Sequence, residues 1–209
     1  MNKYELLFLF ESKIGPLMTN TNKTFLTSEV EVFLNNAQNG YFKALADVFE
    51  RNEEVRRVLS PFTKSHSLTS VSPTGVTALS TTSKFYTLPS SVDGTLYRIV
   101  EEYVTTSTGA RITSKPITHD QYHANIKNPF KNPYVDLVWR LDVDGYVEII
   151  SSGITPVNYI YRYLTSPQTI EFSTEDSTSL EFKDIDLENI VDIAIQLALN
   201  SLSVIKQGG

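Results

Sequence analysis

The sequence predicts an α+β fold: N-terminal helices and a C-terminal helix form a bundle, with a small antiparallel β domain and long arms between them. Three observations carry this. Apolar residues recur in steps of three and four over Ser28–Glu50 and again after Asp184, the spacing of a helix face. Between these, runs of β-branched and aromatic residues are broken by proline, glycine and Asp144-Gly145, the pattern of short strands. Two stretches, 63–84 and 107–133, follow neither period and are rich in residues that favour loose backbone. The boundaries are therefore 1–62 for the helical region, 63–84 for a Ser/Thr-rich arm, 85–183 for the β domain with its inserted arm 107–133, and 184–207 for a terminal helix packing on the first helices.

The first helix is expected over Lys3–Lys13, with Tyr4, Leu7, Phe8 and Ile14 inward and Gly15-Pro16 as its stop. A polar connector, Met18–Thr24, leads to the long helix. There Val30, Phe33, Leu34, Ala37, Tyr41, Leu45, Val48 and Phe49 line one face, and Ser28 with Glu31 forms a capping box. At 1.5 Å per residue this helix spans roughly 35 Å, a scaffold or contact surface carrying no chemistry. Gly40 inside it costs about 1 kcal/mol relative to alanine and permits a bend or a close neighbour. Asn52-Glu53-Glu54 restarts a short segment, with Val55, Val58 and Leu59 inward, before Ser60-Pro61.

Ser83–Pro89 reads as a strand, and Thr95–Thr106 as another with Leu96, Val100 and Val104 on one face. Val135–Ile150 is the clearest hairpin, because Asp144-Gly145 accepts the positive dihedrals of a tight turn. Val157–Ser166 alternates Tyr159, Tyr161 and Tyr163 against Ile160, Arg162 and Leu164; Thr169–Ser173 and Ser179–Lys183 supply a last pair. In the insert, Thr118 and Gln121 cap a short helix, and Phe130 stands between two prolines, either as a docking residue or, where the arm folds back, against its own domain. The terminal helix is capped by Asp184 or Asp186. Its narrow polar stripe of Glu188, Asp192, Gln196, Asn200 and Ser203 predicts burial on more than one side, either inside a helical bundle or with a second apolar face offered to another subunit.

Eighteen basic and 24 acidic residues give a net charge of −6, which argues against phosphate-backbone binding as the main activity. There is no cysteine, so disulfides and thiolate metal sites are excluded. Tyr4–Glu11 is too short to cross a bilayer and lacks the features of a secretory signal, so a soluble, unprocessed chain is expected. His119 and His123 sit at helical spacing without an evident third ligand, as solvated loop histidines do. Asp142-Val143-Asp144-Gly145 is turn chemistry rather than a calcium loop. Glu101 and Glu102 point to opposite faces of a strand and cannot share a site. The tyrosine row offers a glycan-stacking face or, more ordinarily, one side of a packed sheet. No catalytic residue, cofactor site or metal site is expected.

The segment FLNNAQNGYF (Phe33–Phe42) resembles one in virion structural proteins of tailed bacteriophages. The likeness continues through YTLP (Tyr86–Pro89), KPITHDQY (Lys115–Tyr122), NPF (Asn128–Phe130), VWRL (Val138–Leu141) and ENIVDIAIQLAL (Glu188–Leu199). Together they resemble the head–tail connector, or neck ring, proteins of crAss-like phages. The resemblance implies a non-enzymatic dodecameric ring in the virion, assembled in the host bacterial cytoplasm, beneath the portal protein and beside other connector or tail proteins. It implies transient, non-specific contact with DNA and no membrane partner. Tyr122, Phe130 and Tyr134 are the candidate subunit contacts. The alternative role is a host- or glycan-binding virion module, or another minor head or tail protein.

Overall fold

The computed structural model describes residues 1–18, 24–89, 95–128, 130–173 and 180–207, with side chains through residue 202. Most of the polar connector Met18–Thr24, and Ser203 of the terminal stripe, lie outside these. The fold mixes α and β, with a curled, mostly antiparallel sheet. It divides into a helical unit, Met1–Phe62 with Ser166–Gly209, and a sheet unit, Thr63–Thr165.

In the helical unit, α1 is Lys3–Ile14, α2 Thr27–Val48, α3 Glu53–Val58 and α5 Asp184–Gln207 (α4 belongs to the sheet unit). Helix α1 is capped by Asn2, whose side chain accepts from the Glu5 amide while Glu5 accepts from the Asn2 amide. It buries Lys3, Leu6, Phe10 and Ile14, whereas Tyr4 and Phe8 face solvent. The expected face was displaced because Leu6–Phe10 is an unbroken apolar run. Periodicity inside such a run does not choose a side.

The start of α2 also differs from expectation. Glu29, not Glu31, reaches back to cap the helix, accepting the Leu26 amide at 2.8 Å. The buried face is Val30, Leu34, Ala37, Gln38, Phe42 and Ala46, while Val48 is exposed. Arg56 of α3 closes the far end, donating through Nε to the Phe49 carbonyl at 3.1 Å and through Nη2 to that of Glu50. Phe42 packs edge-on against Phe62, which in turn meets Phe182. Gly40 causes no break in α2, and a Cβ there meets nothing within 4 Å. Gly40→Ala should therefore raise stability by about 1 kcal/mol. A lowered urea midpoint for that variant would contradict this.

Helix α5 packs against both α1 and α2. It buries Leu187, Ile190, Val191, Ala194, Ile195 and Ala198 on one broad face, and Asp192 pairs with Lys13 of α1 at 2.7 Å. Ile185 and Leu197 stay exposed on the protomer, beside the polar residues Glu188, Asp192, Gln196 and Asn200, so the helix keeps apolar side chains that this chain alone does not cover. The described residues of the expected last strand pair form no strand. They run as irregular chain with bends in the helical unit, with Ile170 and Phe182 buried.

That irregular chain is held by side chains in place of a neighbouring strand. Asn35 accepts the Ile170 amide at 2.8 Å and donates to the Ile170 carbonyl at 2.9 Å. Gln38 donates to the carbonyl of Gln168, Glu31 accepts the amide of Phe172, and Lys3 donates to the carbonyl of Glu171. Buried backbone groups need partners, and residues 31, 35 and 38 recur at the helical spacing that sets them on one line. Within the Phe33–Phe42 segment, Asn35 and Gln38 thus act as a clamp.

The sheet unit has seven strands: β1 Thr63–Thr69, β2 Lys84–Thr87, β3 Leu96–Thr106, β4 Arg111–Pro116, β5 Leu137–Val143, β6 Tyr146–Ile150 and β7 Pro156–Thr165. Their order is β1-β7-β3-β4-β5-β6-β2, antiparallel except for the parallel pair β4–β5. Val71, just past β1, bridges to Phe85 of β2, so the sheet curls until its edges meet. Thr63–Thr69, expected as loose arm, pairs residue for residue with β7. Likewise Arg111–Pro116, expected inside an irregular insert, is a strand shared by β3 and β5. Both were hidden because their side chains are mostly polar; β1 also finds its partner far along the chain, whereas β4 pairs with its neighbour β3 across a short turn.

The inner face gathers Tyr86, Val104, Ile112, Val138, Val147, Ile149, Tyr159, Tyr161 and Tyr163. Register shifts along β3 bring Ile99 rather than Val100 into this cluster, as bulges re-aim a strand. Asp144 and Gly145 take φ of 43° and 78°, the tight hairpin turn expected of them. On the outer face, Trp139, Leu141 and Ile150 are covered by Tyr122 of α4, His119–Asn125.

Candidate functional site

The arm after β4 begins as the sequence indicates. Thr118 and Gln121 form a reciprocal cap on α4, at 3.2 and 3.1 Å. Tyr122 then turns inward: it is 7% exposed, stands edge-on to Trp139 and donates to the Leu79 carbonyl at 2.9 Å. Its side chain anchors the arm to its own sheet and has almost no surface left for a neighbour. Beyond α4, Asn128 organises the tip, its side chain accepting from the Phe130 amide and its carbonyl from the amides of Lys131 and Asn132. Tyr134 and Leu137 exchange two backbone hydrogen bonds and return the chain to β5. The result is a braced turn holding Phe130 at 96% exposure, with Tyr134 also exposed at 56%.

Between this turn and the sheet lies an open groove of about 460 Å³. Ile117, Leu137 and Trp139 give it an apolar floor, Lys115 and Lys131 are its charged residues, and Phe130 and Tyr134 stand at its side. The two lysines were not singled out from the sequence. Alternation along β4 hints at Lys115, without saying which outer face stays uncovered, and nothing comparable marks Lys131 in the turn. His119 and His123 lie exposed on α4; among the described residues no group of three His, Asp or Glu is placed to hold a metal ion.

The tyrosine row is not a surface. Tyr159, Tyr161 and Tyr163 are at most 3% exposed, stacked with centroids 5.7 and 5.3 Å apart inside the curled sheet. Glycan stacking on them is ruled out by that burial. Glu101 and Glu102 do separate as expected: Glu101 pairs with Arg162 in solvent, and Glu102 turns inward.

Glu102 belongs to a charged cluster that sequence reading missed. Its Oε2 accepts from Arg140 at 3.0 Å and from the Tyr159 hydroxyl at 2.6 Å, while Arg140 also grips Asp142 with two bonds. Arg140 shares strand parity with Val138, and Glu102 with Val104, both core residues. A charge at a core-parity position was the available signal. Burial works against the charge of Arg140, yet the Glu102 carboxylate outweighs it and holds the guanidinium above its ordinary pKa. Burial first, then Glu102, raises the Tyr159 phenol.

Tyr86, fully buried and with its hydroxyl unpartnered, is pushed by burial up to about 12. Folded Tyr86 keeps its proton where the unfolded chain, titrating near 10.0, releases it. Its contribution is intact below pH 10 and falls as pH rises towards 12, at up to about 1.4 kcal/mol per pH unit. Urea midpoints at pH 9 and 11 should therefore diverge less in Tyr86→Phe than in the wild type. Equal divergence would exclude Tyr86 as the cause.

Among the described residues no helix is long and apolar enough to cross a membrane. The family described as phage tail ring protein 3/4 matches the chain over residues 6–205, through both units. Ring protein 3 of Bacteroides phage crAss001 is 27% identical over 193 residues, covering 85% of this chain and 83% of that protein. Those names describe ring proteins of phages, in keeping with the resemblance read from the motifs. The chain belongs to the phage tail ring protein 3/4 family.

Proposed function

We propose that this chain is a virion structural protein that assembles as a dodecameric ring in the head–tail connector, below the portal, joining capsid to tail and letting DNA pass. The family match over residues 6–205 carries the reading, because it takes in nearly the whole described chain. In this role the N-terminal helices and α5 act together as a helical bundle, and the small β domain carries the arms. Phe130 and Tyr134 are the subunit-contact residues, since a stiff turn presents both to solvent. Burying an aromatic side chain against a neighbour contributes about 1.5–3 kcal/mol per copy, repeated at every contact of a closed ring. The net charge of −6 suits a wall that DNA slides past, touching transiently without sticking.

Purified protein added to portal assemblies should bind as a ring, and virion images should place it at the tail vertex. Density on capsid faces or tail fibres would reject the position, and turnover of a substrate would reject the structural role.

A further inference from the structure

We infer that the outer face of α1 in one copy docks into the Lys115–Lys131 groove of the next. The inference rests on the ring reading above and names the contact that closes it. On α1, Tyr4, Glu5, Phe8 and Glu11 fall within about a third of the helix circumference, and all four are exposed. Phe8 is 72% exposed, while Leu6, Phe10 and Ile14 fill the core side of the same helix. Phe8 therefore has no packing role inside the helical unit. It stands as an aromatic knob with the Glu11 carboxylate three residues on, while that of Glu5, three residues before, also caps the helix at Asn2.

The groove has the opposite character. Its floor is Ile117, Leu137 and Trp139, and its charged lining residues are Lys115 and Lys131, both exposed and in no ion pair among the described residues. About 460 Å³ lies within the range of clefts that take a ligand-sized group, and an aromatic ring is such a group. The aromatic knob meets an apolar floor inside a polar rim of Gln121, Asn125 and Asn132, and acidic residues meet basic ones. Such pairing selects the partner and its orientation, because a basic face would be repelled. Every copy carries one knob, on its helical unit, and one socket, on its sheet unit. The contact is thus head-to-tail, the kind that generates a ring when its rotation closes.

The absence of native cysteine makes the test clean. Full-length chain carrying Glu11→Cys with Lys131→Cys is assembled on portal, oxidised mildly and run on a non-reducing gel. The expected result is a ladder of covalent multimers that collapses on reduction and is missing from either single variant, since a disulfide needs Cα atoms within about 7 Å. In parallel, Lys131→Glu should cut incorporation into rings at least about tenfold, and adding Glu11→Lys should restore it; both positions are exposed, so the fold is not at stake. Intact rings that give no ladder and ignore Lys131→Glu overturn the contact and leave the ring reading standing. A wild-type chain that never forms rings on portal overturns that reading, and the contact with it.

Discussion

Arg140→Ala should lower the stability of the sheet unit by about 3–5 kcal/mol, the usual effect of removing one partner from a buried ion pair. The side chains of Arg140 and Glu102 are only 15% and 10% exposed, so Glu102 would be left charged inside the sheet without its cation. The Tyr159 hydroxyl, bonded to the same carboxylate oxygen, would not neutralise it. Asp142 is half in solvent and can find water, so the penalty arises at Glu102. Trp139 is the single tryptophan and sits next to Arg140 in β5, so its fluorescence reports this unit during urea unfolding. Arg140→Leu combined with Glu102→Gln should recover much of the loss, because the uncompensated charge disappears while Tyr159 keeps an acceptor. A loss below about 1 kcal/mol for Arg140→Ala would mean that water reaches Glu102 and that the cluster is not a buried one.

Asn35→Ala should cost the helical unit about 2–4 kcal/mol, because it strips partners from both the amide and the carbonyl of Ile170. The Ile170 side chain is 2% exposed, so water cannot readily replace the lost amide group. Amide exchange at Ile170 should speed up markedly, and that at Phe172 less, since Glu31 still holds it. Asn35→Asp retains the acceptor but not the donor and should fall between the two. Unchanged exchange at Ile170 would show that the segment is held by its apolar contacts instead.

These two sites show where legibility stopped. Helices α2 and α5, the Asp144-Gly145 turn and the Thr118–Gln121 cap were readable because each depends on residues a few positions apart. In α1, Ile14 is inward as expected, but Tyr4 and Phe8 are outward, since Leu6–Phe10 is apolar throughout and only packing chooses among its sides. Asn35 and Gln38 are not among the apolar positions that mark the long helix, and their use is set by a segment 130 or more residues away. Arg140 and Glu102 are 38 apart and meet only because β4 lies between β3 and β5.

The sequence by itself determined the elements with local causes, the exclusion of disulfide chemistry and, through motifs spread along the chain, the structural class of the protein. Tertiary structure alone decided that polar β1 and β4 are strands, that the tyrosine row is interior, that Tyr122 is an anchor, and that Phe130 stands free beside a basic groove. The reason is physical. A helix turn or a hairpin bend is specified by neighbours within a few bonds. Which of several apolar or polar faces is covered depends on pairings that close long loops, and their partners are not marked in the residues themselves.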